Sequence, residues 1–246
     1  MKIAVAGATG NIGALTVDLL HELGHDVVGL SRSLGVDLMT GAGLDLQGVD
    51  ALIDATNVPA STSAESVERY GAITRNLLAA EARAGVRHHV PLSILCLDRV
   101  EGNAHYAGKL EQERLVSTGP VPWTIVRASQ FHDFAEMVAQ WTEHDGTATI
   151  APLLVQPIAP REVAEVLVET ALAEPLGGRI DLAGPEPQDL VDMARRTYAA
   201  RGRSVKLVPT WSGTFGPSMS GDVLLPTEGA RLGRITFDEW LAEQQV

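Results

Sequence analysis

Residues 5–13 read V-A-G-A-T-G-N-I-G, and no other segment constrains the fold of this chain as strongly. The residues at 2–6 form a short β-branched stretch, which is typical of a buried strand, and the apolar residues after the run recur at helical spacing. A glycine turn therefore joins a strand directly to a helix. Gly7 permits a tight turn, Gly10 leaves the backbone open to a ligand, and Gly13 lets the helix pack closely on the strand.

The start of this helix provides the chemistry for binding an anion. Its first backbone N–H groups have no partner within the helix, and the helix dipole adds positive potential at the same end. A pyrophosphate at the turn would accept hydrogen bonds from these groups, so the segment predicts dinucleotide binding rather than a purely structural turn. The candidate cofactor-binding residues here are Gly7, Thr9, Gly10, Asn11, Ile12 and Gly13.

The composition excludes several other classes of protein. The chain has 246 residues, of which 45% are hydrophobic, and a formal net charge of −12. Because its basic residues are scattered, we expect neither nucleic acid nor a membrane as a partner. Cys96 is the only cysteine, which excludes an internal disulfide, and no Cys and His spacing predicts a metal site. The chain starts in a strand and has no apolar run that could span a bilayer, which predicts an unprocessed cytoplasmic protein.

Strand-like and helical segments alternate through the first half of the chain. A second strand follows the first helix after Gly24 and completes a βαβ unit of the expected length, about 30 residues. Apolar strands separated by helices predict an α/β fold with a Rossmann-type, doubly wound parallel sheet. The predicted strands are 2–6, 25–31, 51–55, 89–94 and 123–127, and the predicted helices are 12–23, 64–84 and 104–118.

The pattern becomes less regular after residue 130. We therefore expect a dinucleotide-binding Rossmann core at residues 1–130 and a small substrate-side cap with C-terminal elements at residues 131–246, within one compact unit. The segment 211–225 is rich in Gly and Ser and indicates either a mobile lid or an ordinary surface loop. The segments predicted in the cap are a helix at 131–143, a strand at 147–151, a helix at 161–173, and short elements at 178–182, 188–200, 205–208 and 237–243.

The end of the second strand bears on which dinucleotide is bound. Rossmann units that prefer NAD place an Asp or Glu there, whereas this chain has Ser31, Arg32 and Ser33. A guanidinium between two hydroxyls suits a 2′-phosphate and favours NADP, with NAD possible because an arginine can also stack on adenine. Asp37, after a third short strand, either lies at the adenine edge or is an exposed turn residue. The carboxyl end of the next strand adds Ala55, Thr56 and Asn57 as candidate cofactor-binding residues.

Several motifs together resemble the short-chain dehydrogenase/reductase superfamily, and within it the atypical NmrA-like branch of NAD(P)-binding proteins, which includes quinone reductases. The resemblance spans nearly the whole chain. It implies a nicotinamide dinucleotide cofactor and specifies no substrate. The residues that carry it are G-A-T-G-N-I-G at 7–13, S-R-S at 31–33, the strand ending at Ser93, Lys109, V-R-A-S-Q-F at 126–131, D-L-A-G-P-E-P at 181–187 and T-F-D-E-W at 236–240.

The resemblance also implies catalytic roles. In the superfamily a serine polarises a carbonyl, a tyrosine transfers the proton, and a lysine four residues later binds the nicotinamide ribose, which here implies roles for Ser93 and Lys109. The tyrosine position holds His105, and Tyr106 lies one residue on, about 100° around the helix. Three alternatives follow: His105 donates the proton, Tyr106 reaches inward from a displaced helix start, or the reaction needs no proton from this position.

Three residues that follow the strand at 123–127 are candidates for the substrate pocket: Gln130, Phe131 and His132. The structural alternatives to these roles are that Phe131 is a core residue and that His132 caps a helix. The resemblance favours an NAD(P)H-dependent oxidoreductase acting on a quinone, an aromatic ketone or a similar flat apolar substrate, which is compatible with natural-product tailoring. The rival hypothesis is a non-catalytic, NAD(P)-sensing regulator. A third and least favoured hypothesis is an isomerase or epimerase that uses bound NAD transiently.

Overall fold

Strands and helices alternate along the computed structural model, which describes residues 1–213 and 215–244. The strands are β1 (Lys2–Ala6), β2 (Asp26–Leu30), β3 (Ala51–Asp54), β4 (His88–Ile94), β5 (Thr124–Ala128), β6 (Thr147–Ile150), β7 (Leu154–Val155), β8 (Gly178–Ala183), β9 (Gln188–Asp189), β10 (Lys206–Pro209) and β11 (Arg231–Leu232). The helices are α1 (Asn11–Glu22), α2 (Ser63–Ala84), α3 (Ala104–Ser117), α4 (Phe134–Thr142), α5 (Pro160–Leu172), α6 (Leu190–Ala200) and α7 (Phe237–Glu243). Short 3-10 helices occupy Arg32–Leu34, Leu97–Arg99 and Pro217–Met219.

A seven-stranded parallel sheet forms the centre of the fold, with the strand order β11-β8-β5-β4-β3-β1-β2. In its register, Ile3 on β1 pairs with Val27 on one side and with Ala51 on the other. The interior strands β1 and β3 are almost completely buried, as apolar parallel strands covered on both faces require. Helix α1 packs on α5 and α2 packs on α3, which provides two helical layers. The predicted Rossmann-type, doubly wound α/β fold is confirmed.

The described chain forms two compact units. The first comprises Met1–Ile94, Ala104–Arg127 and Pro160–Ile180, and it contains β1 to β4 with α1, α2, α3 and α5. The second comprises Leu95–Asn103, Ala128–Ala159 and Asp181–Val246, and it contains α4, α6, α7 and two small sheets, β6 with β10 and β7 with β9. The units interleave along the sequence, so the division of roles between residues 1–130 and residues 131–246 stays a prediction.

The helix expected at 131–143 begins later than its hydrophobic pattern indicates. Phe131 forms a parallel bridge with Ile158, and the N–H of His132 donates to the Ile158 carbonyl at 3.0 Å. These extended contacts occupy the backbone that a longer helix would need, so α4 starts at Phe134. His132 consequently precedes the helix and does not cap it.

The short strand expected around Asp37 is replaced by a turn. Asp37 and Ala42 make a single antiparallel bridge, and the N–H of Gly41 donates to the Asp37 carbonyl at 2.8 Å. Gly41 has φ +77°, a conformation that glycine adopts without strain. The chain therefore reverses within a few residues, and the expectation of a third strand before β3 is wrong.

The segment at 211–225 contains buried side chains, although Thr214 lies outside the described residues. Phe215, Met219 and Leu224 are at most 9% exposed, and the 3-10 helix Pro217–Met219 lies among them. Buried apolar side chains anchor a segment against the rest of its unit. Of the two alternatives for this segment, these anchors favour the ordinary surface loop over the mobile lid.

Candidate functional site

Main-chain contacts close the glycine turn between β1 and α1. Gly7 has φ +77°, and its N–H donates to the Leu30 carbonyl at 2.9 Å. A Cβ on Gly7 would lie 2.7 Å from the carbonyl oxygen of Ala55, and a Cβ on Gly13 would lie 2.0 Å from the carbonyl oxygen of Gly7. Both distances are far shorter than a van der Waals contact. The tight turn and the close helix packing therefore each require glycine.

Gly10 is in a different environment because its outer side is open. A Cβ at Gly10 would meet only the Gly7 carbonyl oxygen, at 3.3 Å, and the residue is exposed. Helix α1 begins directly after Gly10, which has no side chain to cap the first helical N–H groups. Thr9 and Asn11 are exposed beside it, whereas Ile12 is buried and offers only its backbone. The turn is thus an open main-chain cradle that fits a phosphate.

The residues expected at the adenosine ribose lie together after β2. The hydroxyl oxygens of Ser31 and Ser33 are 3.0 Å apart, and Arg32 begins a 3-10 helix with its side chain exposed. The Asp37 carboxylate accepts a hydrogen bond from the N–H of Met39 at 2.9 Å, which is an Asx turn. Arg32 is therefore available to an anionic ligand, whereas Asp37 stabilises its own turn.

Four residues of the first compact unit close a ring of hydrogen bonds where β3 ends. Lys109 Nζ donates to Gln112 Oε1 at 2.9 Å, and Gln112 Nε2 donates to Asp54 Oδ2 at 2.8 Å. Asp54 Oδ1 accepts the N–H of Thr56 at 2.9 Å, and the Thr56 carbonyl accepts Lys109 Nζ at 3.2 Å. All four side chains are at most 7% exposed, and we call these residues the buried ring.

The Lys109 ammonium is fully used inside the protein. It makes a third hydrogen bond, 2.8 Å long, to the Leu92 carbonyl, and it lies 4.9 Å from the ring centroid of Tyr70. Burial lowers the pKa of Lys109 to about 8, although Asp54 and Glu113 oppose that shift. An ammonium has three protons, so Lys109 must exchange one of its bonds to bind a ribose hydroxyl. Its role as a cofactor ligand stays a prediction.

Ser93 is also engaged by neighbouring side chains. Its hydroxyl donates to Glu113 Oε1 at 2.5 Å, and Arg127 donates to the same carboxylate through Nε at 2.8 Å and Nη2 at 2.6 Å. All three residues are buried, and together they join β4, α3 and β5. Because the single hydroxyl proton already has an acceptor, polarisation of a substrate carbonyl by Ser93 would require this short bond to break.

His105 and Tyr106 lie in the first turn of α3, where His105 is half-buried and Tyr106 is buried. The His105 ring packs edge-on against Tyr70 with centroids 5.8 Å apart. Burial, followed by the positive charge of Lys109, lowers the pKa of His105 to about 4, so its imidazole is neutral at pH 7. Tyr106 is only 6% exposed. The three alternatives, with the proton from His105, from Tyr106 or from neither residue, all stay predictions.

The three residues predicted for the substrate pocket lie in the second compact unit. His132 is 1% exposed; its Nε2 lies 3.0 Å from the Ile235 carbonyl, and its ring lies 5.6 Å from the Trp240 ring. Burial lowers the pKa of His132 to about 4. These contacts fasten the C-terminal helix. Gln130 and Phe131 are half-buried, and a substrate role for all three residues stays a prediction.

Sequence reasoning missed Asp54, Gln112, Glu113 and Arg127. Two signals were available for them. Gln112 and Glu113 follow Lys109 by three and four residues, which places them on the same face of the helix. Asp54 and Arg127 are charged residues at the ends of apolar strands, where a buried charge requires a partner.

Grouped metal ligands and membrane-spanning helices are both absent from the part of the chain that the structure describes. No three His, Cys, Asp or Glu side chains in it are grouped so that they could hold a metal ion. None of its helices combines the length and the apolar character that a bilayer span requires.

The family model described as "NmrA-like family" matches residues 1–172, which is more than half of the chain. The chain belongs to the NmrA-like family. The matched range includes the glycine turn, the buried ring and Ser93, so the resemblance seen in the motifs is confirmed. No curated protein sequence matches this NmrA-like chain significantly.

Solved structures match nearly the whole NmrA-like chain at low sequence identity. MoeE5 in complex with UDP-glucose and NAD has a TM-score of 0.76 and 18% identity, covering 100% of this chain and 97% of that one. A nucleoside-diphosphate-sugar epimerase from Staphylococcus aureus has a TM-score of 0.70 and 15% identity, covering 98% and 99%. The NADPH-dependent quinone oxidoreductase QOR2 from Escherichia coli has a TM-score of 0.66 and 16% identity, covering 98% and 99%. At these identities the similarity establishes the fold alone.

Proposed function

We propose that the protein is an NAD(P)H-dependent oxidoreductase that reduces a quinone, an aromatic ketone or a similar flat apolar substrate. The observation that carries the proposal is the cradle at Gly10. Backbone atoms occupy the space beside Gly7 and Gly13, whereas the space over Gly10 is open to a phosphate. The cradle lies at the start of α1, where the helix dipole stabilises an anion. These features support binding of the pyrophosphate of a dinucleotide.

The choice of a quinone-like substrate rests on the groups around Ser93 and His105. A reduced nicotinamide would supply a hydride, and one further proton would complete the conversion of a quinone to a hydroquinone with release of the oxidised dinucleotide. His105 is neutral at pH 7, and the Ser93 hydroxyl donates to Glu113. These features support an acceptor that takes its proton from water rather than from a positioned acid.

We infer NADP as the preferred cofactor, with NAD as the alternative. Arg32 is exposed and lies between Ser31 and Ser33 in the sequence, and the hydroxyls of these two serines are 3.0 Å apart. A 2′-phosphate would accept hydrogen bonds from all three side chains. We further propose that the protein acts in the cytoplasm on a small aromatic molecule, without nucleic acid or a membrane as a partner. The net charge of −12 supports that proposal.

A specific observation favours a second candidate function, a regulator that binds the dinucleotide without turnover. The three protons of the Lys109 ammonium and the hydroxyl proton of Ser93 are all engaged within the protein. A regulator needs these residues only for its structure. An enzyme that used Lys109 as a cofactor ligand or Ser93 to polarise a carbonyl would have to free that residue when its ligands bind.

The test is calorimetric titration of NADPH, NADH and their oxidised forms, followed by an assay of cofactor oxidation with a panel of quinones and aryl ketones. We expect NADPH to bind most tightly. Arg32→Ala should remove the preference for NADPH over NADH, while Arg83→Ala, an exposed arginine of α2, should not. Binding without turnover across the panel would overturn the reductase in favour of the regulator, and absence of binding would overturn both.

A further inference from the structure

We infer that Gln112 is a positioning residue of the proposed dinucleotide site, because it closes the buried ring that holds the Thr56 peptide against the glycine turn. The inference rests on the proposed function, since it assigns a role toward the same cofactor. Gln112 has no exposed surface and lies one helical turn after Lys109, so it acts through its neighbours rather than by contact with a ligand.

The Thr56 backbone is held at both of its polar groups. Its N–H is held by Asp54 Oδ1 and its carbonyl by Lys109 Nζ. The Ala55–Thr56 backbone also lies directly beside Gly7, because a Cβ there would be 2.7 Å from the Ala55 carbonyl oxygen and 3.1 Å from the Thr56 nitrogen. A displacement of this peptide would therefore be transmitted to the glycine turn without an intervening side chain.

The Gln112 side chain connects a cation to an anion within the buried ring. Its carbonyl oxygen accepts from the Lys109 cation, and its amide nitrogen donates to the Asp54 anion. A carboxamide performs both roles without a charge of its own. A carboxylate could accept a hydrogen bond from Lys109 but would repel the Asp54 carboxylate. A methionine of similar size could neither accept from Lys109 nor donate to Asp54. The ring thus requires an amide at this position.

The charge on Lys109 determines how many hydrogen bonds this side chain can donate within the buried ring. The charged and titratable groups facing the Lys109 ammonium are Asp54 on β3, Glu113 and His105 on α3, and Tyr70 on α2. Burial lowers the pKa of Lys109 to about 8, so the ammonium loses its proton just above neutral pH. A neutral amine has two protons and cannot satisfy three acceptors. The hydrogen bond from Lys109 to the Thr56 carbonyl should consequently weaken as the pH rises through about 8.

The experiment compares wild type, Gln112→Met and Gln112→Glu, with Gln156→Met as the matched control. Gln156 is a buried glutamine whose amide donates to the Gly184 carbonyl in the second compact unit. Two quantities are measured from pH 5 to pH 9: the dissociation constant of the dinucleotide by calorimetry, and the ionisation midpoint of Lys109 by NMR of its 15Nζ. The NMR titration uses the unliganded protein and does not depend on the proposed function.

We expect dinucleotide affinity to fall in wild type as the pH passes 8. Gln112→Met should bind about tenfold more weakly, because hydrogen bonds to two charged groups are lost. Burial and the Asp54 carboxylate should raise the pKa of the new carboxyl in Gln112→Glu, so this variant should be most like wild type at the acid end of the range, where a protonated carboxyl can both accept and donate, and should lose affinity as that proton leaves. Gln156→Met should keep the wild-type affinity and pH profile.

Wild-type affinity and an unchanged Lys109 midpoint in both Gln112 variants would overturn the positioning role. If Gln112→Met does not fold, the pH profile of Gln112→Glu decides the question. If wild type binds no dinucleotide, the proposed function fails and the positioning role fails with it. If wild type binds and the Gln112 variants bind equally well, only the positioning role fails.

Discussion

The glycine turn at residues 7–13 and the polar face of α3, formed by His105, Lys109, Gln112 and Glu113, represent two opposite ways to build a site. The turn is made of main chain, carries no charge and is open at Gly10. The polar face of α3 is made of titratable or amide side chains, of which His105 is half-buried and the other three are buried, with hydrogen bonds from those three to other residues of the first unit. Only the turn offers free space to a phosphate.

The difference shows that substitutions in the two regions are unfavourable for different physical reasons. In the turn, replacing Gly7 or Gly13 is unfavourable for steric reasons, because a methyl group would overlap a carbonyl oxygen. On the polar face of α3, the cost is desolvation, because each buried charge needs its partner. The two regions meet at the Ala55–Thr56 backbone, which touches Gly7 on one side and Lys109 on the other. Substitutions can therefore separate the two roles.

The largest expected effect is on the polar face of α3. Arg127→Met would leave the Glu113 carboxylate buried without its cation and should lower the free energy of unfolding by about 3–5 kcal/mol in urea titrations. The double variant Glu113→Gln with Arg127→Met removes both charges and should recover part of that loss. Arg114→Met, which breaks an exposed ion pair with Glu111 on the same helix, should cause no measurable loss. Equal losses for Arg114→Met and Arg127→Met would contradict this account.

The next effect tests the turn. Gly13→Ala places a Cβ 2.0 Å from the Gly7 carbonyl oxygen and should cost about 1–3 kcal/mol of stability, together with most of the dinucleotide affinity. Gly71→Ala is the matched control, because the three atoms nearest its new Cβ all belong to the flexible end of Arg75. Thermal unfolding and calorimetry on both variants provide the measurement. A Gly13→Ala protein as stable as Gly71→Ala would disprove the steric argument.

The two regions also differ in how far the sequence predicts them. The glycine turn is specified by residues that are close in the chain and by backbone geometry, so its spacing alone predicts its shape. The buried ring joins Asp54 to Gln112 across 58 positions, and local patterning does not predict such a contact. The resemblance supplied Lys109 and Ser93 but not their partners. Phe131 was misplaced for the same reason, because its bridge to Ile158 lies outside the local pattern.

A smaller effect is expected at Gly10, where the turn is open. Gly10→Ala should leave the free energy of unfolding within about 1 kcal/mol of wild type, since the nearest atom to the new Cβ is 3.3 Å away. Its dinucleotide affinity should nevertheless fall, because the methyl group would occupy the space proposed for the phosphate. Chemical denaturation and calorimetry on one preparation separate the two quantities. Unchanged affinity would place the phosphate elsewhere.

At neutral pH the smallest effect on stability concerns His105, because its contribution changes only in acid. Burial, followed by Lys109, lowers its pKa from 6.5 to about 4, so the folded protein resists protonation that the unfolded chain accepts. The stabilising contribution is therefore complete above pH 6.5 and is lost as the pH falls toward 4. His105→Gln should flatten the decline in unfolding free energy over that window, while His132, whose pKa is also about 4, maintains the remaining slope.

The same variant tests whether His105 donates the proton in the reaction. A general acid contributes about 10²-fold to 10⁴-fold to a rate, so a loss of that size in His105→Gln would identify His105 as the donor and contradict the assignment of a water-derived proton. We expect quinone reduction to change far less, with the same pH profile between pH 5 and pH 7 as wild type. In that outcome His105 contributes structure and electrostatics, and the two remaining alternatives are proton transfer from Tyr106 and a proton taken from water.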